Sequence, residues 1–417
     1  MENQKKSFAL GYSLILHSCI TYILYATIGG SGLSTIVAFF SEKTGLNAAT
    51  VTSVNTYGGI LASFAVFFMG RVVSRYGVRL VTTISLFIGG ASMFLLAHGN
   101  TLAIYILVSI ITQLTINAYC FTGTGTLITS WYPRTKGFIM GWTTTGIMIS
   151  AFTGIAFISA FTPRIGFSAT MSIVGGFMIL FGIASWFWVR NSPEEVGLLP
   201  DNKPVSAEEK AFLGSGGQKL DWSIKDLLLS KDGFLICLSL GLACLCTSGV
   251  AITFIPTLME LGYERMTAVG IFGIVSLISC LGSIILGWVD EKYGTRRGIF
   301  IFFGFYIAGF FAAYFLQAPV SVIIAMTIAY FASGAFQNLT ASLMGSMYGR
   351  DNYARVWSVL YTVIWMIRCL AFLAIGIIIS TFGGYKQTLI FFAVLSVIAM
   401  FVFIPINTKY RVAPKLR

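Results

Sequence analysis

One arginine stands where its surroundings tolerate charge least. Arg368 is the midpoint of an apolar run from 354 to 382. If that run crosses a bilayer, a lone cation at its centre costs at least about 2.5 to 3.5 kcal/mol. Trp357, Tyr361, Trp365 and Arg368 recur at spacings of four, four and three, which places them on one helical face. A guanidinium is a planar fork that matches a carboxylate. Aromatic walls beside it stack on the cation and hold an organic body. The chemistry on offer is recognition of an organic anion, not bond making. The competing reading is a structural arginine that donates to backbone carbonyls between helices. Trp357, near one end of the run, belongs with packing or an interfacial belt.

The remaining titratable groups sharpen that contrast. The fifteen acids fall outside the cores of the apolar runs: Glu2, Glu42, eight from Glu194 to Asp232, Glu260, Glu264, Asp290, Glu291 and Asp351. A proton-coupled carrier ordinarily keeps a titratable acid at membrane depth. His17 is the group left for that task here, although a lone histidine on a helix is more often a hydrogen-bonded packing residue. The seven cysteines all sit in apolar runs; Cys244 and Cys246 have no histidine or acid beside them, so neither a metal site nor a disulfide framework follows. No cofactor motif, phosphate loop or catalytic triad appears in a usable context, and the chain is read as neither an enzyme nor a metalloprotein.

The elements that position these residues follow from composition. Of 417 residues, 56% are hydrophobic and only 10% charged, against roughly 25% in an ordinary soluble protein. The net charge of +12 does not gather into a nucleic-acid patch; the cations punctuate long apolar runs instead. Twelve such runs are long enough to span a bilayer, at approximately 10–40, 48–69, 79–97, 101–131, 138–162, 168–189, 233–258, 267–289, 298–317, 320–347, 354–382 and 388–406. With a cytoplasmic N-terminus, the outer loops hold only Lys43, Arg164, Arg265 and Lys386; Arg368 lies in a span and every other base lies inside. That asymmetry predicts a multi-pass protein of the cell membrane with both termini cytoplasmic. Residues 190–232 form a polar central loop, with a short amphipathic helix expected at 222–229. The loop separates a six-helix bundle at 1–189 from a second at 233–417.

The halves repeat. Gly70-Arg-Val-Val-Ser-Arg-Tyr-Gly-Val-Arg79 aligns with Gly287-Trp-Val-Asp-Glu-Lys-Tyr-Gly-Thr-Arg296 at an offset of 217, which also pairs Ser31-Gly32 with Ser248-Gly249, and Gly45 with Gly262. These loops resemble the Gly-x-x-x-Asp-Arg-x-Gly-x-Arg loop of the major facilitator superfamily. Trp131-Tyr-Pro-Arg-Thr-Lys-Gly137 and Ser192-Pro-Glu-Glu-Val-Gly-Leu-Leu-Pro-Asp201 are similar to patterns in its oxalate:formate antiporter and monocarboxylate porter group. The resemblance implies an all-α membrane fold of two pseudo-symmetric six-helix bundles, working as a monomer by alternating access. It implies a cytoplasmic gate at Arg75, Arg79, Glu291, Lys292 and Arg296, with the acid at the fifth loop position; in the first copy that position is Ser74. It also implies that Tyr25, Asn55, Tyr57, Gln113, Asn117, Tyr119, Gln337 and Asn338 lie on pathway-facing helices. Each of these polar residues is equally at home in an interhelical hydrogen bond.

In the oxalate carriers of this group two intramembrane cations hold the dianion. Arg368 matches the one on the eleventh span, and nothing on the eighth, Thr267 to Val289, matches the other. One cation points to one carboxylate. The glycines of Gly29-Gly-Ser-Gly32, if they line the cavity, leave room for a substrate bulkier than oxalate. The expected function is exchange of a small organic monoanion across the bilayer. The alternatives are a proton-coupled monocarboxylate symporter and, less favoured, a drug-type exporter.

Overall fold

About 20 consecutive apolar residues leave the backbone one way to satisfy its hydrogen bonds in lipid, the α-helix. The computed structural model describes residues 2–30, 32–46, 48–202, 223–349, 351–382 and 384–408. Among the described residues, 12 helices are long and apolar enough to cross a membrane. In chain order the elements are α1 (Glu2–Ile28), α2 (Leu33–Thr44), α3 (Ala48–Tyr76), α4 (Val78–His98), α5 (Leu102–Ile116), a π-helix (Asn117–Thr124) and α6 (Gly125–Trp131). There follow α7 (Lys136–Thr144), α8 (Gly146–Ile149), α9 (Gly154–Ile165) and α10 (Phe167–Trp188). After the central loop come α11 (Ile224–Leu228), α12 (Lys231–Glu260), α13 (Arg265–Tyr293), α14 (Thr295–Phe315), α15 (Pro319–Ser333), α16 (Phe336–Tyr348), α17 (Tyr353–Phe382) and α18 (Lys386–Phe403).

The chain forms two compact units. One comprises Met1–Arg134, Gly146–Lys219 and Gly349–Ser358; the other comprises Thr135–Thr145, Leu220–Tyr348 and Val359–Arg417. The start of the fifth span thus groups with the second unit, and the first turn of α17 with the first.

Several runs that read as single helices are broken. The run 10–40 parts between α1 and α2, where a Cβ on Gly32 would meet the Thr27 carbonyl oxygen at 2.1 Å and one on Gly29 would meet Ile116 Cδ1 at 2.2 Å. These glycines let backbone and side chains approach closely, as small residues do between membrane helices. The run 138–162 is likewise divided among α7, α8 and α9. A Cβ on Gly146 would meet the Cys19 carbonyl oxygen at 2.3 Å, and one on Gly154 the Thr27 Oγ1 at 2.0 Å.

The sequence offset of 217 has a conformational counterpart. Gly45 and Gly262 sit at φ of 71° and 91°, and Gly77 and Gly294 at 82° and 89°, a region open to glycine at little cost. The central loop begins pinned to the first unit: the Trp131 indole donates to the Arg190 carbonyl at 3.0 Å, and the Arg134 amide to the Asp201 carboxylate at 2.9 Å. Two motifs read separately in the sequence therefore touch. The expected loop helix is α11, whose start is a capping box between Ser223 and Asp226.

Candidate functional site

In the second unit α17 carries Arg368 half-buried, with its guanidinium 4.1 Å over the Trp365 ring. Its Nε–H donates to Ser248 Oγ on α12. Both of these groups are neutral; they help to fix the plane and position of the guanidinium, and the cation–π contact is worth about 0.5 to 2 kcal/mol. One turn earlier the Tyr361 ring lies 6.0 Å from Trp365, tilted by 41°. The Tyr361 hydroxyl donates to Gln337 Oε1 on α16 at 2.7 Å. Helical spacing and tertiary packing thus join Ser248, Arg368, Trp365, Tyr361 and Gln337 into one chain of contacts. Trp357 stacks on Tyr353 at 5.6 Å and is 1% exposed, a packing residue.

Asn338 takes no part in that chain. It is fully buried; its Nδ2 donates to the Ser283 carbonyl at 2.9 Å and its Oδ1 accepts the Leu339 amide, which fastens α16 to α13. Tyr25, Asn117 and Tyr119 belong to the first unit. Tyr25 meets Phe121 edge to face at 4.7 Å. Asn117 Nδ2 donates to the Gln113 carbonyl at 2.8 Å. Tyr119 sits within the π-helix, its hydroxyl buried without a hydrogen-bond partner among the described residues; such helices concentrate at functional sites. Asn55 bonds Tyr105 and Ser109 beside a cavity of about 20 Å³. The side chain of Tyr57 lies outside the described residues.

His17 is a packing histidine. Its ring stacks on Phe181 at 4.9 Å and meets Trp188 edge-on at 5.5 Å. The Ser185 hydroxyl gives its proton to the Phe181 carbonyl, so it accepts from His17 Nε2, at 2.8 Å. No acid is among these contacts.

The loop cations are used locally and symmetrically. Arg79 Nε donates to the Trp186 carbonyl at 2.6 Å, with the guanidinium 4.2 Å over the Trp186 ring. Its counterpart Arg296 donates to the Ile404 and Ile406 carbonyls at 2.7 and 2.8 Å. Each arginine therefore caps carbonyls at the end of the last span of its own half, where cations are favoured. Arg75 lies over Tyr76, and Lys292 over Trp288 and Tyr293.

The buried acid of the second loop is the residue before Glu291. Glu291 is exposed, whereas Asp290 is 5% exposed and pressed on the first turn of α7, where a Cβ on Gly137 would meet its Oδ2 at 1.8 Å. The sequence reading placed Asp290 in a loop because the apolar run stops at Val289; the helix continues to Tyr293 and turns that side chain inward. A matching close approach occurs in the first unit, where a Cβ on Gly70 would meet the Ala354 carbonyl oxygen at 2.2 Å. On the second-half copy, a Cβ on Gly287 would meet the Gly137 carbonyl oxygen at 2.7 Å. Ser248 and Asp290 are the two residues whose roles sequence reasoning missed. Ser248 had been visible only as half of a repeated Ser-Gly pair.

Comparison with known proteins agrees with this architecture. The chain is 23% identical over 305 residues, 70% of each protein, to the uncharacterized MFS-type transporter YhjX of Escherichia coli (strain K12). The proton:xylose symporter XylE, bound to 6-bromo-6-deoxy-D-glucose, superposes with a TM-score of 0.73 at 14% identity, covering 96% of this chain and 97% of that one. The human organic anion transporter MFSD10 gives a TM-score of 0.70 at 11% identity, covering 96% and 99%. At these identities the structures speak to the fold alone. A family model described as Major Facilitator Superfamily matches residues 19–372, and with twelve helices among the described residues long and apolar enough to cross a membrane, the chain belongs to that superfamily of multi-pass membrane transporters.

Proposed function

We propose that this transporter carries a small organic monoanion, a monocarboxylate bulkier than oxalate, and that it works by alternating access as an anion exchanger. The fold neighbours include a sugar symporter and an organic anion transporter, so fold does not choose the substrate. The observation that carries the choice is Arg368, held mid-helix by Ser248 and Trp365 with an aromatic wall continuing to Tyr361. Acids are absent from the cores of the apolar runs in the sequence, which makes a substrate carboxylate the economical counter-charge. A bound carboxylate offsets the cost of moving the cation through an occluded state; an empty site keeps that cost. Reorientation then favours the loaded carrier, which is the property of an exchanger.

The same reading assigns gating to the contact of Asp290 with the first turn of α7 and to the apposition of Gly70 and Ala354. Arg79 and Arg296 support it by fixing the ends of α10 and α18. The protein is placed in the cell membrane as a monomer, with both termini cytoplasmic by the distribution of its cations.

Counterflow in proteoliposomes against a panel of mono- and dicarboxylates tests the proposal. Arg368→Gln is expected to abolish exchange while the purified protein keeps its thermal stability, and Arg368→Lys to retain about a tenth of it, because the charge stays and the planar fork goes. Full transport by Arg368→Gln would overturn the reading.

A further inference from the structure

Gln337 is 8% exposed, and its Oε1 accepts the Tyr361 phenol. Its Nε2 is buried with no acceptor among the described residues. Buried donors are nearly always paired, so an amide nitrogen in this condition marks a place that another group completes. The amide oxygen is turned to the Tyr361 phenol, and the two N–H groups point elsewhere. Position on the helix adds the second half of the argument. Tyr361 and Arg368 are seven residues apart, on one stripe of α17 and about 10 Å apart along its axis. Trp365 fills the interval, 6.0 Å from the Tyr361 ring and 4.1 Å from the guanidinium. A cationic donor thus stands at one end of a run of aromatic contacts and a neutral amide donor at the other, with Tyr361 itself buried.

We infer that the transported anion is recognised at two points: its carboxylate by Arg368, and a hydrogen-bond acceptor at its far end, a carbonyl, ether or hydroxyl oxygen, by the Nε2 amide of Gln337. This rests on the reading that Arg368 binds the substrate anion. Between the two points lies an apolar or aromatic body about the length of one substituted ring, seated along Trp365 and Tyr361. Very short monocarboxylates reach Arg368 alone and bind weakly. A body of the right length that ends in a methyl group leaves the amide unpaired, and sites built to donate a hydrogen bond discriminate against such analogues. Tyr361 is the positioning residue, since it holds the amide in the orientation that presents its N–H groups.

The test uses two nearly isosteric probes, para-acetylbenzoate and para-isopropylbenzoate, which differ in having or lacking a distal carbonyl acceptor. Their dissociation constants are measured by titration calorimetry on the full-length protein in lipid nanodiscs. The wild type is expected to prefer para-acetylbenzoate by at least about tenfold. Gln337→Glu keeps an acceptor for Tyr361 but has no N–H, and Gln337→Met keeps the volume; both are expected to bring the preference within about twofold. In Gln337→Met the affinity for para-isopropylbenzoate stays near that of the wild type, which shows that the site is folded. Equal wild-type affinities, as expected if an ordered water occupies the amide, overturn the second recognition point, and so does a preference that survives in both variants. In either case loss of both probes in Arg368→Gln leaves the anion reading standing. If neither probe binds the wild type, or if Arg368→Gln binds both normally, the anion reading falls as well.

Discussion

Ser248 contributes one hydroxyl to the site, and its value lies in what it does to a neighbour. By accepting the Arg368 Nε–H it fixes the rotation of the guanidinium about its long, flexible stem. Ser248→Ala removes that constraint and leaves the charge, so the expected effect is on affinity: about a fivefold rise in KM for counterflow, corresponding to about 1 kcal/mol, with the maximal rate little changed. His17 supplies the opposite expectation. It is buried among Ser185, Phe181 and Trp188, so His17→Gln is expected to lower the melting temperature while leaving the transport rate and its pH profile within about twofold of the wild type. A flattened or displaced pH profile in that variant would reassign His17 to coupling. Arg368 was legible in the sequence because charge at membrane depth is costly and therefore conspicuous. Ser248 was not, because a serine in an apolar helix looks the same whether it bonds its own backbone or a guanidinium across the bundle.

Helices α7 and α13 meet through residues too small to announce themselves. Gly287 faces the Gly137 carbonyl, a Cβ on Gly141 would meet the Ser283 carbonyl oxygen at 2.7 Å, and Thr144 and Ser283 share a hydrogen bond at 2.7 Å. Asp290 fills the space that a side chain at position 137 would need. Gly137→Ala is expected to destabilise the protein by about 1 to 3 kcal/mol through overpacking, read as a lower melting temperature in detergent, and to slow turnover. Asp290→Ala in the same chain relieves the clash, so the pair is expected to be strongly non-additive, with a coupling of about 1 kcal/mol or more. Simple addition of the two effects would show that the contact carries no energy. The repeat makes a further prediction at this scale. Arg79 and Arg296 cap equivalent helix ends, so Arg79→Gln and Arg296→Gln are expected to cost similar amounts, about 0.5 to 2 kcal/mol each. The existence and order of the spans were legible because hydrophobic length is a strong signal. The breaks at Gly32 and Gly146 were not, because a glycine in an apolar run reads the same in a continuous helix as at a close crossing.

For the whole molecule the decisive quantity is the distribution of charge. The fifteen acids stay outside the cores of the apolar runs, and the one base inside such a core is Arg368. Among the described residues two of those acids are buried, Asp232 at the start of α12 and Asp290 near the end of α13 against α7, and neither is on the helix that bears Arg368. A carrier coupled to protons needs a group that changes charge as it crosses between states, and arginine does not do so at accessible pH. A carrier that exchanges anions needs only a cation whose counter-charge arrives with each substrate. The two designs respond differently to the same manipulation. In proteoliposomes preloaded with the transported anion, uptake of the labelled anion is expected to persist unchanged, within about twofold, when a protonophore collapses the pH gradient. Uptake is expected to fall by at least about tenfold when the preloaded anion is omitted. If the gradient drives accumulation into empty vesicles and the protonophore abolishes it, protons and not a counter-anion complete the cycle. The search for the coupling group would then begin at Asp290, the buried acid packed against α7.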